Sequence, residues 1–204
     1  LREALAASGR PCPPPVLAEY RRINDLLWAE YRLGRIPSSV LKRERFRRLL
    51  AWLGADPRGA RVLGERFLDR LSQHGDRLPG CRALLERLSH HLVLGVVTNG
   101  IDRVQRSRLA VSGLAQFFQT IVTSESCGFA KPDPRILGVA LRELGLKAKQ
   151  AVYVGDDPSV DGAVAEAAGV PFVWVDRGAA LPPGTRRPRR RVRALNQVPA
   201  ALGL

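Results

Sequence analysis

Apolar positions recur every three or four residues through the first third of the chain, and collect into short unbroken runs in the rest. The first pattern predicts helices. Residues 13–36 place Leu17, Tyr20, Ile23, Leu27 and Tyr31 near helical spacing, with Pro15 suited to a first turn and Gly34 to a stop. Residues 38–54 repeat the design: a serine cap, then a stripe through Leu41, Phe46, Leu49, Leu50 and Leu53 up to Gly54. Residues 56–75 predict a third helix, and no strand signal occurs before Leu78. Beyond it, apolar runs at 92–100, 120–125, 151–155 and 171–176 read as strands, and Ala151–Val154 reads as one buried on both faces. Helical segments at 79–91, 102–114, 134–146 and 161–169 separate them, and a loop over 177–191 precedes a short final strand and helix.

Strands alternating with helices imply a parallel sheet with helices on both faces. The expected fold class is therefore α/β: a Rossmann-like core over 78–204, joined to a small all-helical domain over 1–77 in which residues 1–12 read as a linker. In open α/β sheets, ligands bind beyond the carboxyl ends of the strands. The runs "VVTNG" and "VYVGDD" both end in small polar residues, so they would open onto one crevice if they are neighbours.

Composition narrows the choices. A chain of 204 residues with 45% apolar content can bury a substantial core, and no apolar run approaches the ~18 residues of a membrane span. Cys12, Cys81 and Cys127 have neither disulfide nor zinc-site spacing, which predicts a cytoplasmic protein. The net charge of +14 is carried mainly by arginine spread along amphipathic helices, a pattern of compositional bias more than of a binding surface. The one dense cluster, residues 186–193, lacks the interleaved aromatics of a single-strand binder. Nucleic acid and membrane are not the expected partners.

Three motifs carry chemistry. Asp156, Asp157 and Asp161 crowd three carboxylates behind a strand, and such acids repel one another unless a cation sits among them. Mg²⁺ suits oxygen ligands at a strand end, although Asp157 or Asp161 could equally cap the following helix. In "TNG", the Thr98 hydroxyl and the amides after it can donate to phosphate oxygens, and Gly100 lets the backbone approach; an ordinary turn reads the same way. Lys131, one of four lysines, stands in the loop "GFAKPDP" before Pro132, where a fixed ammonium could offset a phosphate, or could simply be a surface lysine in a turn.

Taken in order, each behind a predicted strand, these motifs resemble the haloacid dehalogenase-like hydrolase superfamily: Thr98 its second motif, Lys131 its third, Asp156 with Asp161 its fourth. The helical segment resembles the family's cap, and "YRRINDLLWAEYRLGRI" with "RFRRLLAWLG" resembles the cap of pyrimidine 5'-nucleotidases. The resemblance implies a Mg²⁺-dependent phosphatase acting through an aspartyl-phosphate on a small phosphorylated metabolite, a nucleoside monophosphate first, as monomer or homodimer. It assigns catalysis to Thr98, Lys131 and Asp156, and the metal to Asp156 and Asp161, with Asp157 a third oxygen donor. Thr98, Asn99, Gly100 and Lys131 would hold the phosphate, and Asn24, Trp28 and Tyr31 of the cap would face the base. The aromatic pair could equally be cap core. Phosphoglycolate and sugar phosphatases share the plan; dehalogenases need no metal, which the acidic pair argues against.

The family's first motif, Asp-x-Asp-x-Thr, which carries the nucleophile and the acid/base on the central strand, does not occur in this sequence, nor does any methionine. The expectation is a chain that starts downstream of that strand, leaving the first core strand missing and the 204 residues without phosphatase activity. A catalytically inactive binding protein is the alternative from a different class.

Overall fold

Prolines mark the start of both long N-terminal helices, one in the first turn and one just before it, because a fixed φ and an absent N–H suit these positions. A computed structural model describes all 204 residues. In it α1 spans Arg2–Ala6, α2 Pro14–Arg32, α3 Ser38–Trp52 and α4 Ala60–Ser72. Pro37 occupies the N-cap position of α3, so Ser38, which the sequence predicts as the cap, lies inside the first turn. These helices, with Arg103–Arg108 added, form one compact unit over Leu1–Gly75. Their stripes meet in a core whose fully buried members include Leu5, Leu41, Phe46 and Leu49. Leu5 makes α1 part of that core, where the sequence predicts a linker. Tyr20, Phe46 and Phe67 pack ring on ring, with centroids 5.4–5.8 Å apart.

A charge is buried within this apolar packing. Arg45 is 3% exposed, its guanidinium lies 5.0 Å from the Phe46 ring and 5.1 Å from that of Phe67, and its Nε and Nη2 have no hydrogen-bond partner. Burial draws its pKa below the ordinary arginine value. Cation–π contact recovers part of the desolvation cost, but buried donors without a protein partner still cost ~1–3 kcal/mol. Arg45→Met fills similar volume without those donors. It is expected to raise the stability of the helical unit by about 1 kcal/mol, read as a higher urea midpoint at unchanged slope.

The second unit, Asp76–Asp102 with Leu109–Leu204, carries every strand. α5 (Cys81–Ser89) leads to β1 (Gly95–Thr98), α6 (Asp102–Val111) to β2 (Thr120–Thr123), and the short α7 (Ser124–Cys127) and α8 (Arg135–Glu143) to β3 (Tyr153–Gly155). A π-turn over Pro158–Gly162 and α9 (Ala163–Ala167) then precede β4 (Phe172–Val175), β5 (Arg191–Val192) and α10 (Val198–Leu202). All pairings are parallel, but the strands form two separate sheets: β1–β2, and β3–β4–β5. Gly95 lies opposite Thr120, with room for no Cβ: one added there would stand 2.9 Å from the Thr120 methyl.

The split corrects one expectation. Ala151–Val154 was to be buried on both faces, yet Val152 and Val154 are 40% and 38% exposed and Val93 is 50% exposed. The apolar runs on β1 and β3 are those of interior strands, and each strand is paired on one side only. No helix is long and apolar enough to cross a membrane.

Candidate functional site

The residues just past the carboxyl ends of β1 and β3 converge on the loop that carries Lys131. Asn99, the first residue after β1, ties that loop down through its main chain: its Oδ1 accepts from the Lys131 N–H at 2.6 Å and its Nδ2 donates to the Lys131 carbonyl at 2.9 Å. The Ser124 hydroxyl donates to the Asn99 carbonyl at 2.9 Å and fixes the turn from the β2 side. Thr98 Oγ1 accepts from Gly100 N at 3.1 Å, so that amide closes the turn while the hydroxyl proton remains available to a ligand.

The Lys131 ammonium points to the end of β3. It donates to Asp161 Oδ1 at 2.7 Å and to the Tyr153 hydroxyl at 3.0 Å. The Tyr153 hydroxyl has one proton for two acceptors, the Val97 carbonyl at 3.2 Å and Asp161 Oδ1 at 3.4 Å. Asp161 Oδ2 accepts from the amides of Asp156 and Asp157 at 3.1 and 3.2 Å. Both oxygens of this buried carboxylate are therefore in use, and they organise the turn after β3. Gly155 makes this possible, since a Cβ there would stand 2.6 Å from the Asp161 carboxyl carbon.

The other two acids diverge from it. Asp157 Oδ1 accepts from the Ser159 amide at 2.9 Å and hydroxyl at 2.6 Å, so Asp157 caps the π-turn. Asp156 stays at the strand end with its side chain 58% exposed, 3.6 Å from the Arg177 guanidinium. No three His, Cys, Asp or Glu side chains are arranged to hold a cation. The geometry fits a cation held through the Asp156 carboxylate, with water and substrate oxygens completing the shell, as Mg²⁺ accepts. It does not form a cage of three aspartates.

Burial works against the charge on Lys131, but Tyr153 and Asp161 beside it outweigh that effect and raise its pKa above the ordinary lysine value. Burial pushes the Tyr153 hydroxyl up to about 12. Both groups hold their protons more tightly folded than unfolded. The stability they confer is therefore complete below the unfolded tyrosine value of 10.0 and is lost as pH rises toward the folded values. Unfolding midpoints measured from pH 8 upward are expected to fall steeply from about pH 10, and Tyr153→Phe to flatten that decline. An unchanged alkaline limb in Tyr153→Phe would contradict the assignment.

Asn24, Trp28 and Tyr31 lie on α2 in the helical unit. Asn24 Oδ1 accepts from Arg45 Nη1 at 3.4 Å, while Trp28 and Tyr31 meet edge to face at 5.6 Å and pack against the helical core. Two residues at the strand ends lie outside the sequence reading: Tyr153, which resembles core in an apolar run, and Ser124, which resembles loop. Period-two alternation puts Tyr153 on the same face as Gly155, and that was the available signal.

The second unit is thus a parallel α/β unit with an ammonium, a hydroxyl and an exposed carboxylate at its strand ends. Residues 60–175 match the family model of the haloacid dehalogenase-like hydrolases, and the chain belongs to that family. It is 36% identical over 180 residues to phosphoserine phosphatase of Thermus thermophilus, covering 85% of this chain and 72% of that protein. It is 31% identical over 159 residues to pyrimidine 5'-nucleotidase YjjG of Escherichia coli, covering 78% and 69%. The crystal structure of the HAD-hydrolase YfnB of Bacillus subtilis, described as bound to magnesium, superposes with a TM-score of 0.89 at 24% identity, covering all of this chain and 89% of that one. The relatives are phosphatases and nucleotidases, and the family activity is phosphoric monoester hydrolysis.

Proposed function

We propose that this chain binds a nucleoside monophosphate, with its phosphate at the carboxyl ends of β1 and β3 and Mg²⁺ carried by Asp156. The observation that carries the reading is the pairing of a buried, amide-anchored Asp161–Lys131 couple with an exposed Asp156 one turn away. Lys131, already charge-balanced and fixed at three points, offers a cation that costs no reorganisation when a dianion arrives. The Thr98 hydroxyl has a proton to donate toward the same place. Mg²⁺, when bound, would neutralise phosphate charge and polarise the P–O bonds. Two similar nucleotidases support the nucleotide. Asn24, Trp28 and Tyr31 are proposed as base-facing residues of a cap.

A second reading is favoured by the higher identity to phosphoserine phosphatase: an amino-acid phosphate in place of the nucleotide. Calorimetric titration of the chain with UMP, phosphoserine and phosphoglycolate, with and without Mg²⁺, separates the two. UMP is expected to bind most tightly, with Mg²⁺ strengthening binding at least tenfold and Asp156→Asn cancelling that gain. Tighter phosphoserine binding would overturn the nucleotide, and a metal effect that survives Asp156→Asn would overturn the metal assignment. Since the chain has no Asp-x-Asp-x-Thr motif, turnover by these 204 residues is expected to be undetectable; Mg²⁺-dependent release abolished by Asp156→Ala would locate a nucleophile among them.

A further inference from the structure

The dense arginine cluster of the sequence has a definite place in the second unit. Arg186, Arg187, Arg189 and Arg190 all line one open cavity of about 810 Å³, beside α9 and the start of β4. None of Thr98, Asn99, Lys131, Asp156 and Asp161 lines it. Four arginines meet one acid in its wall, Glu166, and none of the four forms an ion pair. Arg191, the next in the run, is taken up by Asp176 and lies 5.1 Å over the Trp174 ring. The loop is held at both ends. The Arg190 carbonyl accepts from the Trp174 amide of β4 at 2.9 Å, and the Thr185 amide closes a turn on the Pro182 carbonyl at 3.1 Å. Pro188 stiffens the middle. Unneutralised like charges gathered around a concavity focus a positive potential there.

The rest of the wall is largely apolar. Val170 is buried, and Phe172 is half-buried, its ring stacked on Tyr153 with centroids 6.2 Å apart. An aromatic is what the arginine run lacks in sequence, and the fold supplies one from β4. We propose that this cavity is a second ligand site, for a nucleoside triphosphate, with its phosphates on Arg186, Arg187 and Arg189 and its base on Phe172. The phosphates follow from arginine, whose planar fork meets phosphate oxygens two at a time. Their number follows from the charge: one phosphate group, at about −1.5 to −2, leaves part of the surplus of four arginines over one glutamate unmatched. The flat group follows from Phe172, since any base offers a π-face to stack. The size follows from the volume, which lies within the range of small-molecule sites. The site uses none of the residues proposed to hold a monophosphate, so it stands independently of that reading.

The test is calorimetric titration of the 204-residue chain with ATP, AMP and tripolyphosphate, in EDTA so that Asp156 carries no metal. ATP is expected to bind at least tenfold more tightly than either of the others. Arg186→Gln, Arg187→Gln and Arg189→Gln combined should weaken ATP at least tenfold and leave UMP binding in Mg²⁺ unchanged. Phe172→Leu should weaken ATP alone, to the level of tripolyphosphate. Amide NMR shifts on adding ATP are expected at Gly162, Val170 and Phe172. ATP affinity that survives the triple substitution, AMP or tripolyphosphate binding as tightly as ATP, shifts confined to Thr98 and Asn99, or displacement of ATP by an equal concentration of hexaglutamate would each overturn the proposal. The ATP arms decide it whether or not UMP binds.

Discussion

Lys131→Met is expected to destabilise the second unit by about 3 kcal/mol, at the lower end of what breaking a buried ion pair costs. Lys131 and Asp161 side chains are only 13% and 7% exposed, so water cannot replace the lost ammonium. The lower end applies because Asp161 keeps two main-chain donors, the amides of 156 and 157, and its charge is not wholly abandoned. For a chain of this size the change corresponds to a fall of roughly 6–12 °C in Tm. Adding Asp161→Asn to Lys131→Met should restore part of the loss, since the orphaned charge goes with it. A double-mutant cycle in chemical denaturation measures the coupling. A single-variant loss under 1 kcal/mol, or strict additivity, would show that the pair contributes little.

Gly155→Ala should be of similar size for a different reason. One methyl group would stand 2.6 Å from the Asp161 carboxyl carbon and 2.7 Å from its Cβ, with no flexible chain end to give way. Either the end of β3 shifts or Asp161 leaves, and leaving breaks its bonds to Lys131 and to the amides of 156 and 157. A loss of about 3 kcal/mol is expected, with large NMR shifts at those two amides. Gly138 is the control: it lies inside α8 with nothing within 4 Å of an added Cβ, so Gly138→Ala should stabilise by about 0.5–1 kcal/mol. Equal losses at both positions would remove the steric argument.

The order of elements was legible because period and punctuation are local. Stripes at Leu41, Phe46 and Leu49 can only serve a helix, and the apolar runs behind Leu92 and Gln150 can only serve a sheet. Their ends were less legible: α8 stops at Glu143 and β1 starts at Gly95, each inside the expected span, because fraying depends on tertiary neighbours. At the site, the meeting of Asn99, Lys131 and Asp161 followed from strand order. The fate of each carboxylate did not. Asp156, Asp157 and Asp161 look alike in sequence, yet one faces solvent, one caps a turn and one accepts two amides and an ammonium. Only the three-dimensional course of the turn after β3 separates them. Tyr153 was hidden for the converse reason, since its ring belongs to the apolar pattern and only its hydroxyl belongs to the site.

Asn99 grips residue 131 through that residue's main chain and never touches its side chain. The address of the position and the charge it delivers are thus written in different atoms. Any amino acid but proline can be set at 131 without releasing the clasp, so a neutral replacement there removes the ammonium and keeps the loop's anchor, while Asn99→Ala removes the anchor and leaves the ammonium held by Asp161 and Tyr153 alone.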